Sequence, residues 1–439
     1  LRDGKLYAWV PDDASQRTPL EFNTAGTLGG SWLEIDNQPQ PELASDDGAT
    51  GYDPFGYPTQ GNLWLQARDA GAFGFSRPED VSTNPQDGTE IVLASTGVDT
   101  YAINEEGNGA DTFGTMYTIK TDFSDLGQPT ADVTIIYDGD ADPDRQLRSP
   151  DNLDWADNGF IYVQEDEAEE DSLTGEPLFG PGAVNPNEAS IVRLDPADGS
   201  IIQVAEINRD VILDNSIENP LDAVDVDAGN AGEWETSGIL DVSTLFDEVP
   251  GTLFLFDVQA HGIEDQEDFN DASRINDGDL VEGGQLSWLR EKDSMVQGEE
   301  GYQVTPLFTI GETFEGTKGD LNKTSKGVYT PPGILDGLGA YKKNENTVRV
   351  FANHEFLNFR GSEYEVFGEG KDTFSLVGAR ISYFDIDTKS LEIKDTGLAY
   401  DHIYDANGDL ATDSSFLVND FSGFSRFCSS ALFEAEQFG

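Results

Sequence analysis

Ile191 to Ile202 form the stretch IVRLDPADGSII, in which two runs rich in β-branched residues flank a turn of Asp, Pro and Gly. Residues 381–393 repeat this arrangement as ISYFDIDTKSLEI. Short apolar runs predict strands, and an Asp-rich turn with Gly or Ser predicts that the second strand folds back on the first. The recurring unit of the fold is therefore a hairpin.

Such runs recur along all 439 residues, whereas long helical periodicity is nearly missing, so the predicted fold class is all-β. Short four-stranded units joined by long loops can fill this length as a β-propeller, with a double β-sandwich as the alternative. The predicted strands are residues 5–10, 63–66, 90–94, 116–120, 133–137, 160–164, 190–194, 201–205, 252–258, 285–289, 347–352, 379–385 and 391–394. The acidic, Gly-rich loops are residues 34–61, 138–150, 165–187, 214–237 and 264–279.

The composition is strongly acidic, with 85 Asp and Glu against 25 Lys and Arg and a net charge of -60. Because 37% of residues are hydrophobic and 10% aromatic, the charge is expected on the surface of a folded chain. Such a surface repels polyanions, which excludes nucleic acid as an expected partner and disfavours anionic membranes. It suits a calcium-rich extracellular medium, high salt, or a generally acidic soluble protein.

The side chains that could carry chemistry are mostly oxygen ligands, since the chain has three His and one Cys. One Cys cannot form an internal disulfide, and this inventory excludes a Cys-rich metal site and disfavours a multi-His zinc enzyme. P-loop, G-x-S-x-G and HExxH motifs are missing. No stretch is apolar over the length needed to span a bilayer, and no apolar h-region opens the sequence. The chain is suited to holding hard cations.

Four segments place charged or amide side chains where a strand meets a loop. In a propeller such positions converge on the mouth of the central channel, so that distant carboxylates could share metal ions. Each segment alone has an ordinary alternative as a turn or a solvated surface. Arg77 is suited to bidentate capture of a phosphoryl group. The segments are Ser76 to Asp80, Ser149 to Leu153, Val163 to Asp166, and Asn353 to Glu355.

Two further residues have open assignments. His354 is expected to have a structural or hydrogen-bonding role rather than to bind metal. Cys428 is by default a buried, inert thiol, but it lies beside Arg426 and small polar residues, and a thiolate there could bind iron.

Several of these motifs together resemble the PhoX-type alkaline phosphatases. The resemblance covers most of the chain. Its amino-terminal motifs are YTPPGILDGLGAY (329–341), NHE (353–355), GARISYFD (378–385) and GFSRFCSS (423–430), and its carboxyl-terminal motifs are RPED (77–80) and SPDNL (149–153).

The resemblance implies a β-propeller of about six blades whose axial site holds calcium (Ca2+) and iron (Fe3+) and hydrolyses phosphate monoesters outside the cytoplasm. Arg77 would hold the substrate phosphate as the catalytic arginine. The implied metal ligands are Glu79, Glu355 and Cys428, with the thiolate on iron, and Asp151, Asn152, Asn353 and Asp166 around calcium. The partner is then a small phosphate ester, with no nucleic acid and no membrane span, and the localisation is extracellular or periplasmic.

The order of the motifs differs from the family. Residues 1–300 correspond to later blades and residues 301–439 to earlier blades, which together would form one closed propeller domain. A ring tolerates such an exchange of order, and a listing of two fragments is the alternative. The family also has a Gly-Glu-Glu segment that would fall between Gly439 and Leu1, and no equivalent is found; Glu299 and Glu300 lie in another context.

Three hypotheses follow from the sequence. The first is a metal-dependent phosphomonoesterase of the PhoX-like alkaline phosphatase type. The second is a non-catalytic, calcium-stabilised surface or matrix propeller. The third is a phosphodiesterase or phytase on the same scaffold.

Overall fold

The computed structural model describes residues 5–22, 26–45, 48, 50–97, 111–141, 147–166, 177–183, 188–213, 223–225, 228–265, 283–289, 296–298, 304–317, 327–369, 372–405, 407–417 and 422–428. These residues are folded almost entirely as antiparallel sheets, with two α-helices. Among them there is no helix that is long and apolar enough to cross a membrane.

The first large sheet, blade 1, is a four-stranded antiparallel meander with two strands added at its outer edge, in the order β1-β2-β6-β5-β4-β3. Its elements are β1 (Leu6–Pro11), β2 (Thr27–Ile35), the helix α1 (Gln60–Ala70), β3 (Pro78–Thr83), β4 (Glu90–Ser95), β5 (Thr115–Asp122) and β6 (Thr130–Asp138).

Blade 2 repeats this plan in the order β7-β8-β9-β10, with a short fifth strand beside β10. Blade 3 is the meander β12-β13-β15-β17. The elements of this part are β7 (Pro150–Trp155), β8 (Ile161–Glu165), β9 (Ser190–Leu194), β10 (Ile201–Ile207), α2 (Asp210–Leu213), β11 (Ala223–Asp225), β12 (Glu235–Asp241), β13 (Phe254–Ala260), β14 (Ile263–Asp265), β15 (Gly283–Trp288), β16 (Val296–Gly298) and β17 (Thr305–Thr309).

Blade 4 is the meander β20-β21-β24-β25, and small sheets of two and three strands accompany it. The remaining strands are β18 (Phe314–Thr317), β19 (Gly327–Tyr329), β20 (Leu335–Asn344), β21 (Thr347–His354), β22 (Tyr364–Phe367), β23 (Thr373–Gly378), β24 (Arg380–Asp387), β25 (Ile393–Leu398) and β26 (Gly423–Phe424).

The first strand of each meander is its innermost strand, and these strands lie side by side in the order β3, β7, β12, β20. This is the arrangement of a propeller, so the predicted all-β propeller is confirmed and the double-sandwich alternative is wrong. The described residues build four blades, and the number of six stays a prediction, as do the closed ring and the division at residue 300.

Apolar side chains fill the space between neighbouring blades. Val92 and Tyr137 of blade 1 pack with Leu153 and Val163 of blade 2, and similar clusters join blades 2 and 3 and blades 3 and 4. Strands of the middle blades are therefore buried on both faces, as in β13, where every residue is buried. Burial of this surface is the main term that holds the blades together.

Polar side chains on the innermost strands also connect adjacent blades. Asp80 accepts a hydrogen bond from the Leu153 backbone N at 3.0 Å, and Asp154 accepts one from the Asp241 backbone N at 2.6 Å. These carboxylates line a cavity of about 420 Å³ between the blades. Because each accepts backbone hydrogen bonds, we assign that cavity a structural role.

The prediction of a strand at residues 63–66 is wrong, because these residues lie in the helix α1. The Thr59 side chain accepts a hydrogen bond from the Asn62 backbone N, and Gly71 ends the helix in the left-handed conformation at φ 84°. These two caps satisfy backbone groups at both ends of an 11-residue helix. The short apolar, aromatic-containing run from Leu63 to Leu65 resembles a strand in sequence.

Candidate metal centre

Each innermost strand begins with a carboxylate that faces the propeller axis. Glu79, Asp151 and Asp336 are the second residues of β3, β7 and β20, and Glu235 is the first residue of β12. All four line one cavity of about 490 Å³. Its other lining residues are Arg77, Asp166, Gln259, His261, Ile334, Glu355, Leu357, Arg360, Arg426 and Cys428.

The backbone before three of these carboxylates has the same unusual conformation. Arg77, Ser149 and Ile334 have positive φ angles of 50°, 45° and 50°, and each lies two residues before Glu79, Asp151 or Asp336. The pairing register of the same strands then shifts by a bulge, between residues 78 and 81, 150 and 153, and 335 and 338. Bulges re-aim side chains, and left-handed non-glycine residues cost energy, so this repeated turn has a specific task, which is to turn a carboxylate into the cavity.

One group of possible metal ligands joins blade 4 to the segments that follow it. Ligand atoms of Asp336, Glu355 and Cys428 all lie within 4.8 Å of one another. The Cys428 thiol donates a hydrogen bond to Glu355 Oε1 at 3.0 Å, and burial together with this carboxylate raises the pKa of the thiol. The thiol therefore remains protonated until a cation replaces the proton. These three residues are called the thiol triad below.

A second group, here called the carboxylate triad, lies between blades 2 and 3. It consists of Asp151, Asp166 and Glu235, whose ligand atoms also lie within 4.8 Å of one another and which are all buried. Burial and the nearby charge of Asp166 raise the pKa of Asp151 and of Glu235 well above their usual values. Three buried carboxylates at this distance repel one another unless protons or cations compensate them.

The excess of negative charge is not limited to the carboxylate triad. Burial and the charge of Glu355 raise the pKa of Asp336 to about 8. Asp257 on β13 is fully buried, and neither of its carboxylate oxygens has a hydrogen-bond partner among the residues that the structure describes. Burial and Asp336 raise its pKa well above the usual value. A buried, unpaired carboxylate is costly, which is consistent with a site built for cations.

Two arginines pair with the triads, one with each. Arg77 Nη2 lies 2.7 Å from Asp166 Oδ2 and 3.8 Å from Glu79 Oε1. Arg426 Nη1 lies 2.7 Å from Glu355 Oε1. Burial raises the pKa of Glu79, although the charge of Arg77 opposes this effect.

The structure brings six of the predicted site residues to the cavity: Arg77, Glu79, Asp151, Asp166, Glu355 and Cys428. The other two lie just behind it. Asn152 is buried and donates to Asp151 Oδ2 at 3.2 Å and to Ser237 Oγ at 3.2 Å. Asn353 donates to the backbone O of Cys428 at 2.6 Å and so fixes the thiol segment. For all eight, the specific roles stay predictions.

His354 is buried, with Nδ1 2.9 Å from the Gly333 backbone O and Nε2 2.7 Å from Ser382 Oγ. Burial lowers its pKa to about 3, so the ring is neutral and packed within blade 4. This is the hydrogen-bonding role that the sequence analysis expected.

Sequence reasoning missed Glu235, Asp336, His261 and Asp257. Glu235 falls at the end of the predicted acidic loop 214–237, and His261 follows β13 at the same cavity, 3.9 Å from Glu235. An internal comparison could have found two of them, because the starts of the innermost strands align as RPED, SPDN, EWET and ILDG with an acidic third residue.

The donor sets fit metal ions of two kinds. A thiol with two carboxylates suits a transition metal such as iron, since thiolate is a soft ligand. Three carboxylates without nitrogen or sulfur suit a hard cation such as calcium. The structure therefore contains two acidic clusters that could hold metal. The buried carboxylate of Asp257, whose oxygens have no hydrogen-bond partner among the described residues, would also be stabilised by a nearby cation.

The first 205 residues match the family model described as alkaline phosphatase PhoX. The predicted resemblance to PhoX is confirmed. Among solved structures, the chain is similar to Pseudomonas fluorescens PhoX in complex with vanadate, a transition state analogue, at 14% identity and a TM-score of 0.35. That match covers 58% of this chain and 39% of the PhoX chain, so this chain spans about two fifths of its length.

The chain is also similar to the Dos1 propeller, at 9% identity and a TM-score of 0.28, over 76% of this chain and 66% of the Dos1 chain. No curated protein matches. TM-scores at this level carry no functional argument, so the relation to PhoX rests on the family model and the motifs.

The left-handed turn before Asp151 gives a direct test of ligand presentation. We expect Ser149→Val to weaken calcium binding about tenfold, because a β-branched residue disfavours positive φ by roughly 1–2 kcal/mol. Ser149→Gly should bind calcium about as well as the wild type, since Gly adopts this conformation freely. Calcium titration by calorimetry measures both variants. Equal binding by the Val and Gly variants would show that the turn does not aim Asp151.

Proposed function

We propose that the protein is a metal-dependent phosphatase that hydrolyses phosphate monoesters in the axial cavity, as a PhoX-like alkaline phosphatase. The observation that supports this most is the cavity itself, where two ligand triads and three arginines converge in a chain whose first 205 residues match the PhoX family model. Phosphoryl transfer needs positioning and charge neutralisation more than covalent chemistry, and this cavity is equipped for both.

The residues have separate tasks in this proposal. The thiol triad would hold iron, the carboxylate triad would hold calcium, and Glu79 would complete the ligand set between them. When bound, the cations would act as Lewis acids that neutralise charge on the phosphoryl group. Arg77 would hold the phosphate through the guanidinium donors that its contact with Asp166 leaves open. Asn152 and Asn353 would keep Asp151 and the Cys428 segment in place.

The surroundings favour the same substrate class. A protein with a net charge of -60 repels anions over most of its surface, so a small phosphate ester could approach closely only where cations and arginines reverse the sign. We propose an extracellular or periplasmic location, as the relation to PhoX suggests.

The test is hydrolysis of a generic aryl phosphate by protein loaded with Ca2+ and Fe3+, compared with the matching aryl phosphodiester. We expect hydrolysis of the monoester, its loss after chelation, and recovery when both metals are returned. Hydrolysis of the diester alone would favour the phosphodiesterase alternative. Calcium binding with no hydrolysis of either ester would favour the non-catalytic propeller and overturn the proposal.

A further inference from the structure

We propose that Arg426 is a second phosphate-binding arginine, which together with Arg77 selects dianionic phosphate monoesters over monoanionic diesters. The inference rests on the proposed function and extends it to substrate specificity. Three observations carry it: the backbone position of Arg426, its ion pair, and the charge of the cavity.

Arg426 and Arg77 occupy equivalent backbone positions. Arg426 has a φ angle of 50° and lies two residues before Cys428, as Arg77 has a φ angle of 50° and lies two residues before Glu79. Of the six non-glycine residues with positive φ in the described part of the chain, four lie two residues before one of the proposed ligands. At two of these four ligand-presenting turns the left-handed residue is an arginine that lines the cavity.

The ion pairs of the two arginines are also equivalent. Each guanidinium contacts one carboxylate of one triad at 2.7 Å, Asp166 for Arg77 and Glu355 for Arg426. The contact of Arg426 with Glu355 uses Nη1, so Nε and Nη2 can turn toward an anion. The charges of both arginines act on Glu79, which places both near the same carboxylate.

Stability does not account for Arg426. Its side chain is 62% exposed, and exposed ion pairs contribute little to folding. A left-handed conformation at a non-glycine residue costs energy as well. A strained, exposed arginine beside a metal triad is what substrate binding requires and what folding does not.

The charge of the cavity decides which substrate the pair would prefer. Its arginines among the described residues are Arg77, Arg360 and Arg426, in a lining that otherwise contains six acidic side chains. A guanidinium binds two phosphate oxygens through parallel hydrogen bonds. Two guanidinium groups therefore favour a phosphate with two negative charges and three free oxygens, which a monoester has and a diester lacks.

The experiment compares Arg426→Gln and Arg426→Lys with the wild type, all loaded with Ca2+ and Fe3+. Inorganic phosphate binding is measured by calorimetry, and KM and kcat are measured for an aryl phosphate and for the matching diester. We expect Arg426→Gln to weaken phosphate binding and to raise KM for the monoester about 10- to 100-fold. This is the loss of affinity that removal of one charge-assisted hydrogen bond usually causes. KM for the diester should change much less, and Arg426→Lys should be intermediate.

Arg68→Gln is the matched control, because Arg68 on α1 forms an exposed ion pair with Asp69 at 2.9 Å and does not line the cavity. It removes the same charge and should leave phosphate binding unchanged. Metal content is measured for every protein. Unchanged phosphate binding in Arg426→Gln would overturn the inference, and so would a loss of metal with unchanged KM, which would indicate that Arg426 only holds Glu355. A wild type that binds phosphate without hydrolysing monoesters would contradict the proposed function alone.

Discussion

Asp336→Asn will lower phosphatase kcat/KM at least about 100-fold and will stabilise the metal-free protein. Asp336 is the carboxylate of the thiol triad that lies deepest, and it is 3% exposed. Removing even an outer-shell partner of a metal typically costs 10- to 100-fold, and this change would remove a proposed ligand. In the metal-free fold the same residue destabilises the protein, because it is buried close to the carboxylates of Asp257 and Glu355.

The stability effect has a defined pH dependence. The pKa of Asp336 is about 8 in the fold against an ordinary value of 3.8, so its proton is retained at neutral pH and is lost as the pH rises. A carboxyl group with a raised folded pKa destabilises the protein progressively between the two values. The stability gap between Asp336→Asn and the metal-free wild type should therefore widen from about pH 4 to about pH 8 and then level off.

Thermal unfolding in the presence of a chelator measures this gap, and a phosphatase assay with added metals measures the loss of activity. Asp247→Asn is the control, since Asp247 is 76% exposed and pairs with Lys342 away from the cavity. It should change neither property. Full activity of metal-loaded Asp336→Asn would exclude Asp336 from the site.

Arg77→Ala has the second large expected effect, a fall in kcat/KM of about 1000-fold. Arginines that stabilise a transferring phosphoryl group contribute roughly 10³ to 10⁵ in rate, and Arg77 is held at the cavity by Asp166. The triads remain intact in this variant, so iron and calcium contents should match those of the wild type. Arg77→Lys keeps the charge without the planar donors and should recover only part of the activity.

Kinetics and elemental analysis of the same preparations separate the two roles that Arg77 could have. Lost activity with full metal content is the expected result. If metal content falls in parallel with activity, Arg77 acts by organising Asp166 and Glu79 rather than by binding substrate.

The sequence predicted the outer strands of the blades well and missed all four innermost strands. Twelve of the thirteen predicted runs overlap strands of the structure, and β3, β7, β12 and β20 correspond to none of the runs. Outer strands pack against neighbouring blades and therefore carry apolar, β-branched side chains. Innermost strands carry polar groups at the axis, and bulges interrupt them, so they lack the pattern by which strands are recognised.

The sequence predicted site residues that the family motifs carry, and it missed residues whose role depends on their position in the fold. Glu79, Asp151 and Cys428 lie in quoted motifs, whereas Glu235 lies in a stretch that the charge pattern assigned to a loop. Asp336 lies inside a quoted motif, but nothing in a single strand shows that its side chain faces the axis. The packing of blade 4 against the segment that contains Cys428 supplies that information.

The most direct test of the central claim is an anomalous scattering measurement on crystals grown with Ca2+ and Fe3+, recorded on both sides of the iron absorption edge. We expect an iron peak among Asp336, Glu355 and Cys428 and a calcium peak among Asp151, Asp166 and Glu235. Both peaks should lie in the axial cavity, within reach of Arg77. An axial cavity without either metal, in crystals of protein that hydrolyses aryl phosphate, would contradict the account.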